Sequence, residues 1–128
     1  MRTAIKVLVL ALLVQTAVVA CKKDNSPTNT SLTGKWKIVR SGSSIGGPII
    51  WKNATKTDYF IFKEDSAFES TLTTNYNRYT LKDSTILTLT GQPGTTPADY
   101  YYAIKGKSLT MGNLACIEGC PIILVKVD

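Results

Sequence analysis

Tyr76-Asn77-Arg78-Tyr79-Thr80-Leu81, Lys82-Asp83-Ser84 and Ile86-Leu87-Thr88-Leu89-Thr90 follow one another along the chain, and how this stretch is read decides the fold. Both outer runs are rich in β-branched, aromatic and aliphatic residues, and the polar segment between them is turn chemistry. The stretch therefore reads as two strands parted by a turn. The pattern continues in both directions. Upstream, Lys35 to Arg40 alternates Trp36, Ile38 and Arg40 against Lys37 and Val39. Tyr59 to Lys63 is dense in aromatic and β-branched residues. Ala67 to Thr73 sets Phe68 and Leu72 on one face against Glu69, Thr71 and Thr73. Downstream, Tyr100 to Lys105 leads through Gly106 and Lys107 into Leu109 to Met111, and Ile122 to Val127 closes the chain. That makes eight candidate strands, with no convincing helical stripe after Cys21; Ile49 to Lys56 has room for a short helical turn.

Short strands with turn chemistry between them predict a meander, because sequential strands tend to be neighbours and a sheet of this size protects its edges most simply by closing. The expected fold is all-β, a single antiparallel up-and-down eight-stranded barrel over residues 32–128. Such a barrel has an interior that side chains fill, or that holds one small ligand.

The first thirty residues are of another kind. Arg2 and Lys6 precede a run from Val7 to Val19 that only Gln15 and Thr16 interrupt, and the run ends in Val18-Val19-Ala20-Cys21. A positive start, a short apolar segment and a small residue before the Cys describe an export leader, too short for a membrane span of about 20 residues. The tetrapeptide resembles the bacterial lipobox. That resemblance implies a diacylglycerol on the Cys21 thiol, cleavage between Ala20 and Cys21 so that residues 1–20 are removed, and usually acylation of the freed amine. Two or more acyl chains satisfy the requirement for stable anchoring, which one chain does not. Residues 21–31, with Lys22, Lys23 and a polar run, then form a flexible tether. A Lys followed by an acidic residue just after the Cys is similar to signals that send some lipoproteins to the cell surface. The expected location is the bacterial cell envelope, at the outer membrane, on its periplasmic or surface face.

Loss of Arg2 and Lys6 leaves thirteen Lys and Arg against nine carboxylates, so the formal charge falls from +6 to +4. This mildly basic balance is that of lysines scattered over solvent-facing strand positions, and it does not argue for nucleic acid. The chain has no His, so the usual base for a Ser, Thr or Cys nucleophile is missing. Glu64 and Asp65 sit in a turn and Glu69 on the solvent side of its strand, which sets no carboxylate pair on one pocket. The expectation is a protein that is not an enzyme, carries no cofactor and works as a monomeric barrel.

With Cys21 assigned to lipid, Cys116 and Cys120 remain as a pair. Residues four apart on an extended strand lie about 13 Å from each other, whereas a disulfide needs Cα atoms roughly 4.4 to 6.8 Å apart, so Cys116-Ile117-Glu118-Gly119-Cys120 has to turn. Gly119 supplies a positive φ and Pro121 prevents continuation as helix. A metal site would need further thiolate or imidazole ligands, and the spacing is one residue longer than the redox C-x-x-C. A structural disulfide is the expected outcome.

Leu32-Thr33-Gly34-Lys35-Trp36 resembles the Gly-x-Trp start of a lipocalin's first strand, and Cys-x-Glu-Gly-Cys-Pro before the last strand looks like the lipocalin-like lipoproteins of bacterial envelopes. The resemblance implies that Trp36 plugs one end of the barrel under a basic residue of the last strand, for which Lys126 is the positional candidate and Arg40 a weaker one. It also implies non-catalytic binding of a small apolar or amphipathic ligand. The chain departs from the lipocalin pattern in being short and in lacking the helix after the last strand. Thr57-Asp58-Tyr59 has the letters of another lipocalin motif at the wrong place. Tyr76, Tyr79, Tyr100 and Tyr102 are candidates to present phenols at the barrel mouth, with ordinary cross-strand pairing as the competing role. Trp51, in the loop from Gly42 to Thr57, either folds back as a lid or stands exposed for a partner. If the barrel is solid, the alternative is an accessory protein whose loops contact an envelope protein or a glycan.

Overall fold

The computed structural model describes residues 31–128, which form nine β-strands in one antiparallel sheet without a helix among the described residues. The strands are β1 (Gly34–Ser43), β2 (Ile50–Asn53), β3 (Tyr59–Phe62), β4 (Phe68–Ser70), β5 (Tyr76–Leu81), β6 (Ile86–Gly91), β7 (Ala98–Lys105), β8 (Ser108–Asn113) and β9 (Pro121–Val127). The expected leader and lipidation site, and all of the tether but Ser31, lie outside the described residues.

Both β2 and β3 pair with the same side of β1, β2 against Arg40–Ser43 and β3 against Gly34–Lys37. They are two halves of one broken stave. The path around the sheet is then β4-β3-β1-β9-β8-β7-β6-β5, eight staves in an up-and-down order. The chain's first and last strands join by a long register from Lys35↔Val127 to Ser41↔Ile122. The opposite seam, between β4 and β5, is thin: an Ala67↔Arg78 bridge, and Tyr79 N donating to Ser66 O at 3.0 Å. The result is a nearly closed all-β antiparallel barrel.

Two local expectations need correction. Ile49 to Lys56 holds no helical turn; its central residues form β2, because the upper half of β1 needs an antiparallel partner for its backbone groups. Leu72 does not join Phe68 in the core. The strand ends at Ser70, whose Oγ accepts from the backbone N–H of Leu72 and Thr73 at 3.0 Å each, and this turns the chain so that Leu72 faces solvent.

Alternation sends Trp36, Phe60, Phe62, Phe68, Tyr79, Leu87, Leu89, Leu109, Met111 and Leu124 inward, where all are buried. Each contributes about 1.5 to 3 kcal/mol relative to exposure. The register of β1 and β9 shifts between Ile38 and Arg40, a bulge at Val39. This extra residue changes the alternation: Ile38 faces in, and Arg40 points outward opposite Ile123 rather than sharing the face of Trp36.

Candidate functional site

In a meander, alternate connections fall at the same end. One barrel end gathers the start of β1 and the turns at 63–67, 82–85 and 106–107. The other gathers the loops at 44–49, 71–75, 92–97 and 114–120.

The first end is closed. Trp36 is 0% exposed, and its Nε1 donates to Leu32 O at 2.8 Å. Lys126 lies with Nζ 5.2 Å from the Trp36 ring centroid and donates to Ser31 O at 3.1 Å. Gly34, at φ +136°, makes room for this lysine: a Cβ there would stand 2.8 Å from Lys126 Cε. Arg40, the weaker candidate for that position, is turned away by the bulge and stacks instead on Trp51 at 5.4 Å. Beside the tryptophan, Phe60, Phe62, Phe68 and Tyr79 form a cluster with centroids 5.1 to 6.4 Å apart, edge-to-face except for the tilted Phe62–Phe68 pair. Tyr79 Oη donates to Lys63 O at 2.7 Å.

The second end is open. An open groove of about 790 Å³ is lined by Tyr76, Thr96, Pro97, Ala98, Asn113, Leu114 and Ala115, and continues down the outer wall past Asp99 and Thr88 to Lys82. Tyr76 Oη donates to Thr96 O at 3.4 Å. Tyr100 stands opposite Asn113 across β7 and β8. Burial pushes the Tyr100 phenol above its usual range, the neighbouring Tyr76 adds to this, and a hydrogen bond with Asn113 opposes it. On that wall Lys82 and Asp99 pair at 2.8 Å, and Thr88 Oγ1 donates to Asp99 at 2.6 Å. The Lys82 hydrogen bond, then that of Thr88, holds the Asp99 carboxyl below its ordinary value.

The four tyrosines do not share a mouth. Tyr76 and Tyr100 lie at the open end; Tyr79 reaches the 63–67 turn and Tyr102 Oη reaches Asp83 O at 3.4 Å, both at the closed end. The cause is axial position, since Tyr79 is three residues further along β5 than Tyr76 and Tyr102 two further along β7 than Tyr100. Trp51 is no lid. It pairs with Gly42 on the outer wall, where a Cβ on Gly42 would come within 3.2 Å of the Trp51 ring.

Cys116 and Cys120 are joined, with Cα atoms 6.0 Å apart and Gly119 at φ +76°, so the last loop of the open end is pinned. At the same end, Ile45, Ile49, Ile50, Leu72, Leu114 and Ile117 are exposed. The groove's polar residues, Asn113, Thr96 and the Lys82–Asp99 pair, were not singled out by sequence. A signal for the rim did exist: alternate connections differ in charge, and those of one end are almost uncharged.

No family model, curated protein or solved structure matches the chain. The eight-stave meander closed by its first and last strands is compatible with a ligand-binding, lipocalin-like domain.

Proposed function

We propose that the protein is a membrane-anchored lipoprotein of the bacterial cell envelope whose lipocalin-like barrel binds a small amphipathic molecule at its open end, without catalysis. Cys21 carries the lipid, residues 21–31 tether the barrel, and the outer membrane is its place. One observation carries the ligand reading: the 790 Å³ groove beside the Tyr76 and Tyr100 phenols, at the end opposite the Trp36 plug. Its mixed lining suits a ligand with an apolar body and a polar head, since the tyrosines offer both a ring and a hydroxyl. Lower in the barrel, side chains occupy the axis, so the ligand is held at the mouth and not along the core.

The filled core also favours a second reading, an accessory protein whose exposed loops contact an envelope protein or a glycan. Native mass spectrometry of the protein purified from its own host separates the two. A bound small molecule that is lost in a Tyr76→Ala variant supports the first; repeated absence of bound mass, with protein partners retained, supports the second. Intact mass of the same sample tests the anchor: acyl chains on Cys21 support it, and a free thiol on a chain still carrying residues 1–20 contradicts it.

A further inference from the structure

Each end of the barrel is built from its own set of connections, and their chemistry is opposite. The loops at 44–49, 71–75 and 92–97 contain no charged residue, and the one at 114–120 contains only Glu118. At the closed end the turns carry Lys63, Glu64, Asp65, Lys82 and Asp83 within a few residues. On the uncharged loops Ile45 and Ile117 stand 90% and 98% exposed, joined at the same end by Ile49, Ile50, Leu72 and Leu114. Aliphatic side chains gathered at protruding tips, with almost no charge between them, mark an interaction surface.

What lies next on the outer wall identifies the partner. Immediately below the rim Trp51 lies beside Gly42, with Pro121 and then Gly112 next around the wall; Tyr101, the partner of Gly112, stands lower on β7, opposite Ile86. Both glycines are covered by aromatic rings; a Cβ on Gly112 would fall 2.3 Å from Tyr101 Cε1. The next row down brings a cation, Arg40 on β1 between Asn53 and Ile123, against the Trp51 ring. Asp99, a carboxylate on this part of the wall, is neutralised by Lys82. Aliphatic tips, then the Trp51 ring, then the Arg40 cation is the order in which a bilayer presents hydrocarbon, interface and phosphate.

We infer that the open end of the barrel inserts its loop tips into the bilayer interface, with Trp51 at headgroup depth and Arg40 at the phosphates. This contact is separate from the acyl chains on Cys21 and does not rest on them. It sets the groove against the lipid, from which an amphipathic molecule can enter without crossing water.

The test uses the chain from residue 21 onward with Cys21→Ser, which holds every strand and every buried core residue and carries no acyl group. It is mixed with vesicles of phosphatidylcholine and phosphatidylglycerol, some containing brominated acyl chains. Co-sedimentation is expected, with Trp51 emission quenched by bromine while Trp36, enclosed in the core, is not. Ile45→Asp and Ile117→Asp, at positions too exposed to affect folding, each weaken binding by at least about tenfold. Failure to sediment, binding unchanged by both substitutions, or self-association that depends on Ile117 would overturn the inference. A failed acylation assay on Cys21 would leave this test untouched.

Discussion

The two ends of this barrel are made from the same staves, yet they solve opposite problems. At the closed end, Trp36, the phenylalanine cluster and Lys126 leave no space, and charged turns face water. At the open end, Tyr76 borders a groove, and nearly uncharged loops expose aliphatic side chains. A closed end supplies stability and an open end spends less on it, so perturbations of the two should differ in size and in kind.

The largest effect expected is from Trp36→Ala. It empties the plug and orphans Leu32 O, and should cost about 3 to 5 kcal/mol in denaturant unfolding. The same truncation of Trp51, on the outer wall, should cost far less. Gly91→Ala is the severest small change at the open end: a Cβ there would stand 1.9 Å from Asn75 O, so the irregular pairing at the start of β5 must shift. About 1 to 3 kcal/mol is expected in the same assay. Removing the disulfide with Cys116→Ser and Cys120→Ser opens the small loop that it closes in the unfolded chain and should cost about 2 kcal/mol. Hydrogen exchange should rise at 114–120 while the amides around Trp36 keep their protection.

Acid and alkali should act on stability through different groups. Asp83, in the turn between β5 and β6, accepts from Thr85 N at 2.7 Å, Thr85 Oγ1 at 2.9 Å and Ile86 N at 2.8 Å, and the Thr85 hydrogen bonds, ahead of the others, lower its pKa. A carboxyl lowered by folding adds stability that is present above its ordinary value of about 3.9 and lost as pH falls through the folded value. Asp83→Asn should flatten the acid limb of a pH–stability profile. Tyr100 is the reverse: raised by burial, its contribution is present below the ordinary tyrosine value of about 10 and lost as pH rises through the folded value. Tyr100→Phe should remove that part of the alkaline limb, the smallest effect of the set.

Much of the barrel was legible because period-two alternation and turn chemistry act locally. Phe68, Tyr79, Leu87, Leu89 and Leu109 each sit in a strand that its own neighbours predict. What escaped depends on pairing between distant segments. Ile50–Asn53 became strand because β1 needed a partner, which no local propensity reports. The Val39 bulge, fixed by the register of β1 against β9, moved Arg40 from the plug to Trp51. The four tyrosines divided between the ends because axial height depends on where each strand begins. The groove was out of reach for the same reason: Tyr76, Thr96 and Asn113 come from β5, the 92–97 loop and β8. The charge contrast between alternate loops, in hindsight, is readable as soon as a meander is assumed.

The central claim is that binding belongs to the open end alone. Amide chemical-shift mapping with dodecylphosphocholine below its micelle concentration tests it most directly. Saturable shifts are expected at 71–76, 92–98 and 113–117, with the amides of Trp36, Phe62 and Leu109 unmoved. Shifts centred on Trp36, or none at any concentration below the micelle threshold, would contradict the account.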